Sequence, residues 1–230
     1  MQPSPKYYEE ILYPLQDKVL KALNDLDTGF YLTGGTALSR VYLYHRYSDD
    51  LDFFVNEAKN FMYEVKKNID VLRAVFQEKI EIALTTDTFV RIFINDPDAT
   101  LKIEFVNDVS YRHGEFAETV LFKRTDTPGN ILSNKIGALS RREAKDLVDI
   151  IGIARKYSFN WKEVIAEAKM KDMWVDESEV MLILKEFPIS KLEEVKWIES
   201  YNPEIFKQNL NIILNDLFTG RDNSLVAFRS

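Results

Sequence analysis

Apolar positions along the chain follow two rhythms that change over near residue 129. Between residues 8 and 26, Ile11, Leu12, Leu15, Val19, Leu20 and Leu23 recur at the spacing of one helix face. A short apolar run at 30–33 then stops at Gly34-Gly35, the pattern of a buried strand entering a tight turn. A helix is expected over 36–44, with Ala37, Leu38, Val41 and Tyr42 on its inner face, followed by a strand over 51–55 and a helix over 59–77. Further strands are expected at 79–85, 88–95, 101–106 and 118–122. Strands and helices mixed in this order predict an α/β (α+β) fold, a mixed β-sheet flanked by helices. After the turn dipeptide Pro128-Gly129 the rhythm is helical at 131–157, 160–168, 177–186, 191–200 and 203–218, with Pro188 and Pro203 as punctuation. The chain therefore divides into a core, 1–128, and a C-terminal helical bundle, 129–230.

Composition narrows the class. With 230 residues, 46% hydrophobic and 29% charged, the chain can bury a substantial core and is neither disordered nor fibrous. It contains no cysteine, which excludes disulfide frameworks and thiolate metal sites and is compatible with the cytoplasm. No apolar stretch approaches the ~20 residues of a membrane span, and the first residues lack the basic-then-apolar layout of a leader. The formal charge of −7 argues against general duplex binding, though not against a local basic groove. Residues 1–128 carry 15 Lys and Arg against 21 Asp and Glu, and residues 129–230 carry 15 against 16. Most of the excess acid sits in the first part.

The candidate chemistry lies there. In Asp50-Leu51-Asp52-Phe53 the two-residue period of a strand sets both carboxylates on one face and both apolar side chains on the other, with Asp49 out of phase and directed away. Carboxylates held side by side repel, and a divalent cation between them relieves the repulsion; oxygen-only ligands suit Mg²⁺. The bland alternative is a turn end and a solvated strand acid. Gly34, Gly35 and Thr36, at a strand-to-helix junction, form a candidate anion turn that could cradle a triphosphate. Glu104 interrupts the apolar alternation of 102–106 and could complete a three-carboxylate cluster, with Asp108 as the fallback. On one continuous helix, Lys135, Arg142, Asp146 and Asp149 share a stripe, within a stretch, 134–156, holding six basic residues and three acids. His45 and His113 have no metal-ligand spacing, and Trp161, Trp174 and Trp197 read as bundle packing.

The segments YLTGGTALSRVYLYHRYSDDLDFF and NKIGALSRREAKDLVDI resemble the AbiEii/AbiGii-type nucleotidyltransferase family, the toxin arm of type IV-like toxin–antitoxin and phage-defence systems. The resemblance runs from about residue 8 to residue 157. It implies a nucleotidyltransferase core with a C-terminal helical domain completing the active site. By position it assigns Gly34, Gly35 and Thr36 to nucleotide phosphate, Arg46 to the segment before the acids, and Asp50, Asp52 and Glu104 to metal. Lys135 is implied to contact nucleotide phosphate and Asp146 to serve the site, and Arg46 and Arg142 are counted with the nucleotide-binding residues. The expected reaction is Mg²⁺-dependent, with two ions, and moves NMP from an NTP to an acceptor, the 3′ end of a tRNA, which arrests translation. A cognate antitoxin is the implied protein partner. The competing readings are modification of another target, γ-phosphoryl transfer, or a non-catalytic nucleotide-binding module.

Overall fold

In the computed structural model, residues 3–227 are described. The chain forms two compact units, Met1–Thr127 and Pro128–Ser230. Helix α1 (Tyr13–Leu23) is preceded without a break by a π-helical turn, Tyr8–Leu12, and buries Leu15, Val19, Leu20 and Leu23, the stripe expected from spacing. Then come β1 (Tyr31–Thr33), α2 (Gly34–Ala37, prolonged by a π-helical turn, Leu38–Leu43), β2 (Leu51–Asn56) and α3 (Phe61–Phe76). Three more strands close the unit's sheet: β3 (Ile80–Thr85), β4 (Phe89–Asn95) and β5 (Thr100–Asp108). Strand order is β1-β2-β5-β4-β3, with β2 and β5 parallel and the other pairs antiparallel.

The two faces of this sheet differ sharply. Leu51, Phe53, Val90, Ile92, Ile94, Leu101, Ile103 and Phe105 are buried on one face. Their neighbours Asp52, Arg91, Lys102 and Glu104 are only half-buried on the other. That alternation is what a mixed sheet covered on one side requires. On the buried face Phe53 stacks on Phe105 with ring centroids 5.6 Å apart, and Phe30 bridges Phe105 to Phe61 of α3. Strand β3 is the exposed edge, with Ile82 and Leu84 open to solvent.

Segment 118–122, expected as a strand, is a loop. The Thr119 hydroxyl accepts from the amides of Leu121 and Phe122, folding the chain back before it can extend. The following residues instead line the free edge of β1: Leu32 donates to the Arg124 carbonyl, and Asp126 donates to the Leu32 carbonyl.

The second unit contains α4 (Pro128–Ala138), α5 (Ala144–Lys156), α6 (Trp161–Lys171), α7 (Glu177–Lys185) and α8 (Pro203–Thr219). Asn160, Asp176 and Asn202 cap α6, α7 and α8 by accepting first-turn amides. The single helix expected over 131–157 is broken: a 3₁₀ turn, Leu139–Arg141, leads to Arg142 in the left-handed region at φ 52°, and Glu143 is extended. The helix expected at 191–200 is a 3₁₀ turn, Ile189–Glu194. Extended backbone at Val195 ends it, and the Trp197 indole donates to the Leu192 carbonyl. Trp161 is fully buried against Phe159. No helix among the described residues is long and apolar enough to cross a membrane.

Phe53 carries the aromatic stack beneath the acid face, so Phe53→Ala should lower stability by about 3–5 kcal/mol in urea unfolding. Tyr63→Ala, at a 61% exposed helix position, should stay within about 0.5 kcal/mol. Equal losses at the two positions would refute this assignment of the core.

Candidate active site

The parallel register of β2 and β5 makes Asp52 and Glu104 direct Cα partners. Their side chains leave the same, half-buried face, and Asp50 precedes Asp52 by one strand period. Three carboxylates thus share one wall, and two cations answer them. Lys102 Nζ lies 2.8 Å from Asp50 Oδ2 and 3.3 Å from Glu104 Oε1. Arg91, opposite Glu104 on β4, donates to Glu104 Oε1 from Nε at 2.8 Å and Nη2 at 2.6 Å. Burial alone would lower the Lys102 pKa, but its hydrogen bond to Asp50 and the charges of Asp50, Glu104 and Asp52 outweigh that and hold it above the ordinary lysine value.

As the side chains stand, no group of three or more acids and histidines among the described residues is gathered tightly enough to hold a metal ion. The donor chemistry nevertheless fits one: the wall offers only carboxylate oxygens, and an ammonium already sits where two of them converge. Asp50, Asp52 and Glu104 thus offer the kind of oxygen donors a hard divalent cation takes, without forming a metal site as they stand.

The glycine turn is pressed against this wall. Gly34 adopts φ 70°, and a Cβ there would overlap the Asp52 carboxylate. A Cβ on Gly35 would lie 2.5 Å from Arg46 Nη2 and 3.0 Å from Ser48 Oγ, which places the buried Arg46 guanidinium directly behind the turn. The Thr36 hydroxyl donates to the Asp50 carbonyl, tying helix α2 to the acid segment. Arg46 Nη1 donates to the Tyr47 carbonyl at 3.0 Å. Asp49, directed away as expected, accepts from the Tyr8 hydroxyl at 2.9 Å, while Gln16 Nε2 donates to the carbonyls of Ser48 and Asp49.

Asp126 supports the turn from the other side. Fully buried, it accepts from the Thr33 hydroxyl at 2.6 Å and from Arg112 Nη2 at 2.8 Å, and its carbonyl accepts from Tyr42. Thr33, the residue before Gly34, consequently spends its hydroxyl on Asp126 and leaves the first turn of α2 without a side-chain cap. Sequence reasoning missed Lys102, Arg91, Gln16 and Asp126. Lys102 had a signal, two residues before Glu104 and so on its face; Asp126, 93 residues from Thr33, had none.

In the helical unit, Lys135 and Asp146 do meet, together with Asp149. Lys135 Nζ lies 2.7 Å from Asp146 Oδ1 and 2.7 Å from Asp149 Oδ2, and Arg141 Nη2 lies 3.1 Å from Asp146 Oδ2. Both aspartates are fully buried and Lys135 nearly so. Arg142 is not part of this group. The break that turns α4 into α5 sends it to Glu186, 3.4 Å away, so the one-stripe expectation fails for that residue.

The chain, whose half-open sheet face bears paired acids against a glycine turn, is a nucleotidyltransferase by its family match. It belongs to the nucleotidyl transferase AbiEii toxin family of type IV toxin–antitoxin systems, whose model matches residues 18–209. An uncharacterised protein of Aquifex aeolicus, aq_aa25, is 30% identical over 181 residues, covering 76% of this chain and 82% of the relative. JHP933 of Helicobacter pylori shares the fold at a TM-score of 0.63 and 21% identity, over 95% of this chain and 94% of that one. A candidate nucleotidyltransferase of H. pylori superposes at a TM-score of 0.61 with 20% identity, over 96% and 99% of the two chains.

Gly34→Ala should cost about 1–3 kcal/mol, because it combines a strained φ with overlap of Asp52. At Gly137, inside α4, a Cβ comes no closer than 3.7 Å to Asp172 Cβ, so Gly137→Ala should be neutral or gain up to about 1 kcal/mol. Thermal unfolding of both variants checks the pair, and an unaffected Gly34→Ala protein would contradict the turn geometry.

Proposed function

We propose that this nucleotidyltransferase moves a nucleoside monophosphate from an NTP to an acceptor hydroxyl, and that the acceptor is the 3′ end of a tRNA. The observation that carries the reading is the contact between turn and acids: Gly34 lies against Asp52, whose strand partner is Glu104. A triphosphate cradled at the turn would have its α-phosphorus within reach of the acid wall. In the reaction the acceptor oxygen bonds to that phosphorus, the bond to the pyrophosphate oxygen breaks, and the acceptor loses its proton.

Asp50, Asp52 and Glu104 would hold Mg²⁺, two ions, whose chemistry is to acidify the attacking hydroxyl and offset charge on the leaving pyrophosphate. The chain's own part is binding and orientation. Gly34, Gly35 and Thr36 present backbone amides to phosphate oxygens, and Arg46 adds fixed positive charge behind Gly35. In the helical unit, Lys135 is held by the buried Asp146 and Asp149, an ion-paired group that the phosphate role implied by the resemblance would have to break. Arg142 is the least supported nucleotide ligand, since it pairs with Glu186. Family membership supports a toxin held in check by a cognate antitoxin, and transfer to tRNA in the cytoplasm would arrest translation.

The test is incubation of the purified protein with Mg²⁺, total tRNA and each NTP labelled at either the α or the γ phosphate. Label from the α position should enter tRNA, and Asp52→Asn should reduce it by more than about a hundredfold, beyond what loss of an outer-sphere partner costs. Label entering from the γ position would mean phosphoryl transfer instead. Label on protein alone would remove tRNA as the acceptor.

A further inference from the structure

We infer that Lys102 is a resident counter-ion that keeps a divalent cation off Asp50 and Glu104 until nucleotide is bound, so that the metal enters as a metal–NTP complex. The inference rests on the proposed metal role of these acids. Its basis is the position of the ammonium, 2.8 Å from Asp50 and 3.3 Å from Glu104, between two of the oxygens a cation would need. A divalent ion and an ammonium cannot share that gap, because like charges a few ångströms apart in a half-buried site repel strongly. Arg91 is differently placed. It makes two contacts to one Glu104 oxygen from the far side, along β4, and leaves Asp50 alone.

The side chain is also suited to leaving. Lys102 is 28% exposed, and a lysine is a point charge on a flexible stem, with no fixed fork to break. In the free protein, metal must therefore evict the ammonium into solvent. With an NTP at the glycine turn, the displaced ammonium gains phosphate oxygens as new partners, and metal and nucleotide become coupled ligands. The coupling follows from the chain having placed, one strand period before Glu104, a residue that can occupy the cation's position itself.

Mn²⁺ binding to the full chain, followed by loss of the free-ion paramagnetic resonance signal, tests this without any turnover. Wild type, Lys102→Gln and the surface control Lys79→Gln are titrated with and without an NTP analogue carrying a methylene between its α and β phosphates, and the signal that the same analogue removes without protein is subtracted. Lys102→Gln should bind Mn²⁺ alone about tenfold tighter than wild type, and the analogue should tighten Mn²⁺ binding in wild type more than in the variant. Should Lys102→Gln be destabilised, the rise of its melting temperature with added Mg²⁺ gives a second readout and should exceed that of wild type. Equal or weaker Mn²⁺ affinity in Lys102→Gln, or the same gain in Lys79→Gln, overturns the inference and leaves the metal reading standing. Absence of Mn²⁺ binding in every protein, even with the analogue, overturns both.

Discussion

Parallel pairing of β2 with β5 is the constraint from which the rest of the first unit follows. It sets Asp52 beside Glu104 at one rung, with strands about 4.8 Å apart, and so fixes two negative charges at a separation they would not choose. A protein can tolerate that only by supplying positive charge or by keeping the site wet. This chain does both: the face is half-open, and Lys102 and Arg91 converge on it from the neighbouring positions and strand. The glycine turn belongs to the same constraint, since any side chain at Gly34 would occupy the space of the Asp52 carboxylate.

Rigidity on the opposite face makes this arrangement hold. Leu51 and Phe53 alternate with Asp50 and Asp52, so the residues that bury β2 also aim its acids. Slipping the register by one residue would bury the acids and expose Phe53, a change the core forbids. Around that wall, polar contacts of long sequence separation brace the loops: Gln16 holds the Ser48 and Asp49 carbonyls, and Asp126 holds Thr33 and Arg112. The fully buried Asp126 is paired by Arg112 Nη2, and the Thr33 hydroxyl adds a further bond, while Arg112 Nε is left without a hydrogen-bond partner. The Asp126 charge, withdrawn from water, is tolerated because both of its carboxylate oxygens accept hydrogen bonds.

The helical unit repeats the theme in a drier setting. Lys135 lies between Asp146 and Asp149, with Arg141 reaching Asp146 from the surface. Removing any one partner would strand a buried charge. The bend at Arg142 is what allows residues of α4 and α5 to face each other, because a straight helix would carry positions 135 and 149 about 21 Å apart along its axis. Lys171 makes a similar knot, donating to Asn130, Ser133 and Asn134 and fastening α6 to α4.

Much of this was legible in the order of residues, wherever the information is local. Alternation in Asp50-Leu51-Asp52-Phe53 fixed which faces would be wet and dry, Gly34-Gly35 marked a turn that no other residue pair makes so readily, and Asn160, Pro188 and Pro203 marked boundaries. Periodicity placed the five strands of the sheet and α1, α3, α6, α7 and α8 within a few residues of where they lie. It could not tell that 118–122 folds on itself, that 131–157 bends at Arg142, or that 191–200 is only a short turn. Those outcomes depend on hydrogen bonds and left-handed residues that leave no apolar rhythm. Partners distant along the chain were equally out of reach: Asp126 for Thr33, Arg91 for Glu104, Lys102 for Asp50. The sequence alone determined which face of β2 carries the acids and where the glycine turn falls, because side-chain type and strand period are local properties. Only the tertiary structure decided which charges neutralise one another, because that depends on the parallel register joining two strands about fifty residues apart.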